Sequence, residues 1–415
     1  MRLFSPIHHT FGPHVTARFL VQSLGIALVP WAYRRGKSVS HLSHALAHHF
    51  QGECFLFSSG REALLAYLKS VGLKPGEEVI VQGYTCVVIP NAIHAAGGVP
   101  IYADIDPETL NLDLSSVRAA ISPRTRVIIC QHTFGIPAEV LSLRSLCDEY
   151  GILLIEDLAH FIPETCDGQQ QVGRYGDAVL LSFGRDKALS GIAGGAVICR
   201  KSAMDAAMHA LSEASDDCSF FECIQLLCYP ILYALSRPMI GLGIGKGVLS
   251  LARMTGIMPA ILTEREKNGS MSPVLRRMPN VCAFLALQQW RRLSFINAHR
   301  RSLTAYYFQH ARKHGWPVLS HVLPSLALQK FPLCVSGAEG IRHLLKTKNI
   351  HLDDGWTGCT VCPSCVENDN VNYRSGESPC AEMAGAQILS LPTHPTMSLR
   401  QARALLTLLD PLLNR

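Results

Sequence analysis

Short, uninterrupted apolar runs recur through the first half of the chain at residues 79–81, 127–130, 152–155 and 178–181. Runs this short, rich in Val, Ile and Leu and bounded by polar or turn residues, predict strands buried on both faces. Helical patterns separate them over residues 61–71, 91–96 and 117–121, with a further strand at 100–103. This alternation predicts an α/β domain with a mostly parallel, doubly wound sheet. After residue 270 the pattern changes. Helical stretches at 280–289 and 305–314 precede strands at 331–335 and 389–391, with a helix at 337–348 between them. At 415 residues the chain exceeds the size at which one core keeps growing, so a large and a small domain are expected. The boundaries read 1–214 for the large α/β domain, 215–270 for an apolar helical insertion, and 271–415 for an interdomain helix and a small α+β domain.

Polar residues stand where these runs stop. The run at 152–155 leads into Glu156 and Asp157; the run at 178–181 ends in Ser182, followed by Lys187 and by Gly191, Gly194 and Gly195. Open α/β sheets bind ligands at the carboxyl ends of their strands. An acid at one strand end and a lysine beyond the next suit pyridoxal phosphate. The carboxylate keeps the pyridine nitrogen protonated, and the amine attaches the cofactor. Upstream, Ser58-Ser59-Gly60 turns into the helix that begins at Arg61. A glycine turn at a helix start offers unbonded N–H groups and a positive dipole end to a phosphate.

The letters around these residues resemble the sugar aminotransferases of the DegT/DnrJ/StrS family. The matching pieces are Glu156-Asp157-Leu158-Ala159-His160, Gly176-Asp177-Ala178, Ser182-Phe183, Lys187 and Gly194-Gly195. They also include Ser59-Gly60-Arg61-Glu62-Ala63-Leu64, the stretch 280–289, and Leu389-Ser390-Leu391-Pro392-Thr393-His394-Pro395. The resemblance implies a fold-type I enzyme: a mostly parallel, seven-stranded-type sheet in the large domain, a smaller α+β C-terminal domain, and a homodimer. It implies that Lys187 carries pyridoxal 5′-phosphate and moves the proton. Asp157 pairs with the ring nitrogen, His160 lies against the ring or its O3′ side, and Gly60, Arg61 and Ser182 hold the phosphate. Cys86 falls where the family stacks an aromatic on the ring, with Tyr84 as a possible substitute. Leu275 replaces the Asn that reaches the partner subunit's cofactor, and Arg276 stands beside it. A branch of the family that dehydrates sugars has His in place of Lys187, so the lysine favours transamination. The implied reaction moves an amino group, from glutamate, to a keto group on a nucleotide-linked sugar. Rival readings are another fold-type I enzyme, such as a lyase or desulfurase, and a non-catalytic regulator or membrane adaptor.

Composition narrows this little further. A net charge of +6, spread along the chain, gives no nucleic-acid footprint. Fifteen cysteines without a secretory leader fit reduced cytoplasmic thiols better than a disulfide scaffold. Cys359, Cys362 and Cys365 form C-x-x-C-x-x-C, yet the family has no metal there, and none is expected. His41, His44 and His48 read as the outer face of a helix.

Residues 215–270 depart most from the family. They are largely apolar, interrupted by Pro230, Pro238, Pro259 and four glycines from Gly241 to Gly247. The longest charge-free run, 223–236, is shorter than a bilayer-spanning helix needs. Two or three short helices are expected, serving either a subunit interface or a peripheral contact at the cytoplasmic membrane face.

Overall fold

The computed structural model describes residues 6–165 and 172–413. Seven strands form the central sheet: β1 (Glu53–Phe57), β2 (Glu78–Gln82), β3 (Val99–Ala103), β4 (Thr125–Gln131), β5 (Leu153–Asp157), β6 (Ala178–Ser182) and β7 (Gly195–Cys199). Their order is β1-β7-β6-β5-β4-β2-β3, parallel throughout except for β7, which runs antiparallel to both neighbours. Apolar side chains fill both faces, Val79, Val127 and Ile155 on one and Ile80, Ile128 and Leu154 on the other. That is why the strands read as continuous rather than alternating apolar runs. Because β7 is reversed, its first residues meet the last residues of β1 and β6. Ser58, Asp157, Ser182 and Gly195 therefore gather along one edge of the sheet.

Helix α1 (Ala17–Ala27) precedes the sheet, and α2 (Gly60–Ser70) follows β1 directly. The helices expected at 91–96 and 117–121 span Val88–Ala95 and Leu114–Ala120. Residues 215–270 form α3 (Phe220–Ser236), a short 3₁₀ segment (Arg237–Leu242), α4 (Ile244–Met254) and the one-turn helix Glu264–Lys267. A capping box, with Ser219 and Glu222 exchanging bonds to each other's backbone N–H, starts α3. Together α3 and the 3₁₀ segment are long and apolar enough to cross a bilayer by length and composition, with 39% of the most apolar window buried. Cys223, Leu227, Tyr229 and Tyr233 face inward, so α3 is one member of a packed layer.

Helices α5 (Asn280–Trp290) and α6 (Leu293–His314) then lead to the C-terminal part. There β8 (Lys330–Cys334) pairs antiparallel with β9 (Ile388–Pro392), and Phe331, Leu333, Leu389, Leu391 and Leu405 share a core. The N-terminus joins this core, because Ile7 and His8 pair in parallel with Ile350 and His351.

Candidate active site

A cavity of about 530 Å³ opens at the strand-end edge. Gly60, Arg61, Cys86, Ser182 and Lys187 line it; Asp157 and His160 stand behind the lining.

One end of the cavity is the start of α2. Ser59 is its N-cap, the hydroxyl accepting the Glu62 N–H at 3.3 Å. Gly60 and Arg61 fill the first turn, whose N–H groups have no carbonyl one turn back. Close contact makes Gly195 obligatory and leaves little room at Gly60. A Cβ on Gly195 would lie 2.3 Å from the Gly60 nitrogen, and one on Gly60 would lie 3.0 Å from Ser182 Cβ. Backbone N–H groups and the Ser59 and Ser182 hydroxyls thus share one small space. The Arg61 guanidinium is engaged elsewhere: Nε meets Glu266 Oε1 at 2.6 Å, and Nη1 donates to the Ile261 carbonyl. For an anion there, Arg61 offers its backbone N–H.

The two acids after β5 divide by strand alternation, which sends neighbouring side chains to opposite faces. Glu156 faces away and accepts N–H bonds from Gly173, Tyr175 and Gly176, at 2.6, 2.7 and 2.6 Å. Burial works against its charge, but His132 and these N–H groups outweigh it and hold the pKa down. It is a structural carboxylate. Among the described residues, the Asp157 carboxylate accepts the Ala159 N–H at 2.9 Å, and burial raises its pKa above the usual carboxylate range. A carboxylate in that state gains from a cationic partner.

Lys187 lies on the loop after β6, pinned by Ala188 N–H to the Ala159 carbonyl and Gly191 N–H to the Phe183 carbonyl. The Lys187 carbonyl accepts from His14 Nε2 at 2.9 Å and from Arg300 Nη2 at 3.4 Å. Burial pushes its amine toward neutrality, but Asp186, Cys86 and Asp157 outweigh that and leave the pKa above the ordinary lysine value. Burial also raises the Cys86 thiol, so near neutral pH the attraction comes from the two aspartates.

The ring end differs from expectation. Tyr84 does not reach the cavity; it is fully buried, its hydroxyl donating to the Trp356 carbonyl at 2.7 Å. Cys86 does line the wall, paired in register with Cys362. The aromatic ring at the cavity belongs to Trp356, packed edge-on to His160 with centroids 4.9 Å apart. His160 Nδ1 accepts the Phe134 N–H, and burial, then Lys187 and Lys330, hold its pKa far below 6.5. No motif around Trp356 announces it; only the fold of residues 353–363 against Cys86 brings it in. Asp354, also lining the cavity, pairs with Lys330 at 3.0 Å. Arg276 lines the cavity too and binds Glu62 and Glu222 of its own chain, at 3.0 and 3.1 Å.

Among the other sequence candidates, His41, His44 and His48 are exposed on the helix Lys37–Phe50, as expected. Cys359 and Cys362 bring their sulfurs to 3.5 Å, with Cys365 exposed beyond them. Among the described residues, the one close group of three possible metal ligands is instead His310, His314 and Asp410, where α6 meets the C-terminal helix.

The profile of the DegT/DnrJ/EryC1/StrS aminotransferase family matches residues 24–220 and 252–409. The chain belongs to this family. The unmatched gap, 221–251, covers most of α3 and α4. GDP-perosamine synthase of Vibrio cholerae is 32% identical over 169 residues, 40% of this chain and 46% of that protein. L-glutamine:2-deoxy-scyllo-inosose aminotransferase of Streptomyces kanamyceticus is 37% identical over 155 residues, 37% of this chain and 35% of that protein. The chain thus aligns with less than half the length of these relatives. Among solved structures, DesI in the presence of its TDP-sugar product superposes with a TM-score of 0.74 at 23% identity, covering 99% of this chain and 94% of that one. NtdA of Bacillus subtilis with bound cofactor PMP gives 0.75 at 19%, covering 100% and 86%. The architecture is that of fold-type I aminotransferases, as the strand pattern and the family resemblance imply.

Proposed function

We propose that this family member is a pyridoxal 5′-phosphate-dependent aminotransferase acting on a keto sugar. The observation that carries the reading is the convergence of Lys187, a carboxylate behind it and an anion cradle on one cavity. The residues fit the cofactor chemically. Gly60 and Arg61 N–H groups with the Ser59 and Ser182 hydroxyls suit its phosphate, Lys187 its aldehyde, and Asp157 its ring nitrogen. When bound, the cofactor supplies an electron sink that lets a proton leave carbon next to nitrogen. Lys187 Nζ attaches the cofactor between turnovers and otherwise accepts and returns that proton. Asp157, buried and with its pKa raised by that burial, would hold a proton on the ring nitrogen by charge. His160, kept neutral, and Trp356 fill the space beside the ring and exclude water.

The acceptor in this reading is a nucleotide-linked sugar and the donor glutamate. Names among the relatives support a sugar or cyclitol acceptor and include both a glutamate and a glutamine donor. The reading also includes a homodimer in the cytoplasm and a peripheral membrane contact through residues 215–270. Incubating cofactor-loaded protein with each donor and a panel of keto-sugar nucleotides, read by mass spectrometry, tests it. Amino-sugar formation with glutamate is expected. A cofactor-bearing protein that eliminates or desulfurates substrates instead would overturn the transferase assignment.

A further inference from the structure

Most of the exposed large apolar side chains lie on one part of the molecule: α1 and the turn after it, α3, α4 and the loop that follows. Leu28, Trp31, Phe221, Leu242, Leu251 and Met254 are 78, 81, 64, 69, 61 and 82% exposed. These are not scattered loop tips. The same elements pack together through their other faces, with Phe19, Tyr229, Tyr233, Leu249 and Ala252 in one buried cluster. Tyr33 stacks on Phe220 at 5.2 Å, and the Gln225 amide donates to the Gly256 carbonyl at 2.5 Å. A helical layer with an apolar outer face marks an interaction surface.

Charge decides what covers it. No Asp or Glu occurs in residues 1–52 or 223–263, and the one acid in α3, Glu222, is tied to the Ser219 N–H and to Arg276 at 3.1 Å. Arg18, Lys246 and Arg253 are exposed there. Two copies meeting face to face about a twofold axis would set like charges against each other. An anionic bilayer accepts apolar side chains at its interface and cations among its headgroups, and tryptophan favours that depth. Helices as short as α4, broken by glycine, suit a surface lying in the membrane plane. The inner side of the same layer walls the cavity through Gln225, Leu226, Ile261 and Leu262. Arg185, on the lysine loop, fastens it by donating to the Pro259 carbonyl at 3.0 Å and lying over the Tyr229 ring.

We propose that the outer face of α1, α3 and α4 docks on an anionic lipid bilayer and sets the rim of the catalytic cavity at the headgroups. This deepens the membrane-contact part of the proposed function and does not depend on the chemistry at Lys187. The test is flotation of the full-length, cofactor-loaded protein with vesicles of equal parts phosphatidylglycerol and phosphatidylcholine, and with phosphatidylcholine alone. The wild type should float with the anionic vesicles and be weakened by salt. Leu251→Glu combined with Met254→Glu should cut the bound fraction about tenfold, since these residues carry the insertion. Sedimentation and thermal unfolding of that variant should not change. Absence of flotation, or equal flotation of the variant, overturns the proposal. A variant that falls from dimer to monomer, in a protein that never floats, assigns the face to a second copy instead. Amino transfer measured without vesicles reports separately: its failure with flotation intact would strike only the proposed reaction.

Discussion

One wall of the cavity is made of strand ends and the opposite wall of helices from the insertion, and the two hold their side chains differently. At the strand ends each position is settled by backbone: Asp157 by strand alternation, Lys187 by a loop pinned at both sides, Gly60 and Gly195 by near contact of two main chains. On the insertion wall, contacts are made by side chains such as Arg185, Arg61 and Gln225, and the outer surface is apolar. The family profile runs through the first wall. The second includes residues 221–251, where that profile is interrupted. The proposed chemistry rests on the first wall, and the second is tied to it through side chains.

That contrast can be broken by experiment. Lys187→Ala should lower turnover by about 10⁴-fold or more, since attachment and proton transfer are lost together. Borohydride should fix a pyridoxyl group on Lys187 in the wild type, and a label on another lysine would refute the assignment. Asp157→Asn should keep the cofactor yet lose about 10³-fold in turnover, because a neutral ring is a poor electron sink. Near wild-type rates would remove Asp157 from the site.

Acid should weaken the fold before it touches the insertion wall. Burial lowers His9 and His14 to about 4 from 6.5. The unfolded chain therefore binds more protons between those values, and stability falls as pH drops from 6.5 toward 4. Each histidine contributes about 1.4 kcal/mol per pH unit in that window. Thermal unfolding across the range, with His14→Gln for comparison, measures it; a flat profile would contradict the buried neutral rings. Gly195→Ala forces a methyl onto the Gly60 nitrogen and should cost about 1–3 kcal/mol, together with weaker cofactor binding. Leu251→Glu, on the exposed face of α4, should shift stability by less than about 0.5 kcal/mol and leave turnover unchanged in vesicle-free buffer. A large effect there would mean the insertion wall is part of the catalytic fold.

Legibility in the sequence followed the same division. The strands at 79–81, 127–130, 152–155 and 178–181 were readable because burial on both faces leaves an unbroken apolar run. Lys187, Ser182 and Gly60 were readable because they sit within a few residues of a strand or helix end. Local spacing places them. Tyr84 was a wrong substitute for the ring-stacking residue. Its neighbour Cys86 reaches the cavity while Tyr84 turns into the C-terminal core, and no spacing rule separates the two. The guanidinium of Arg61 looked free to meet a phosphate until the fold set Glu266, some two hundred residues later, against it.

What the sequence determined by itself is therefore the parallel sheet, the helix-start cradle and the lysine with its acid, all products of residues close together in the chain. Tertiary structure alone decided which aromatic borders the cavity, and that α1 joins α3 and α4 in one exposed apolar face. Each of those outcomes depends on contacts between segments far apart in sequence. The packing of residues 353–363 against Cys86 brought in Trp356. Burial of Phe19 against the tyrosines of α3 turned the other side of α1 outward, into the same surface. Local periodicity records that a residue is apolar or charged; the partner it meets is set by the way the whole chain closes.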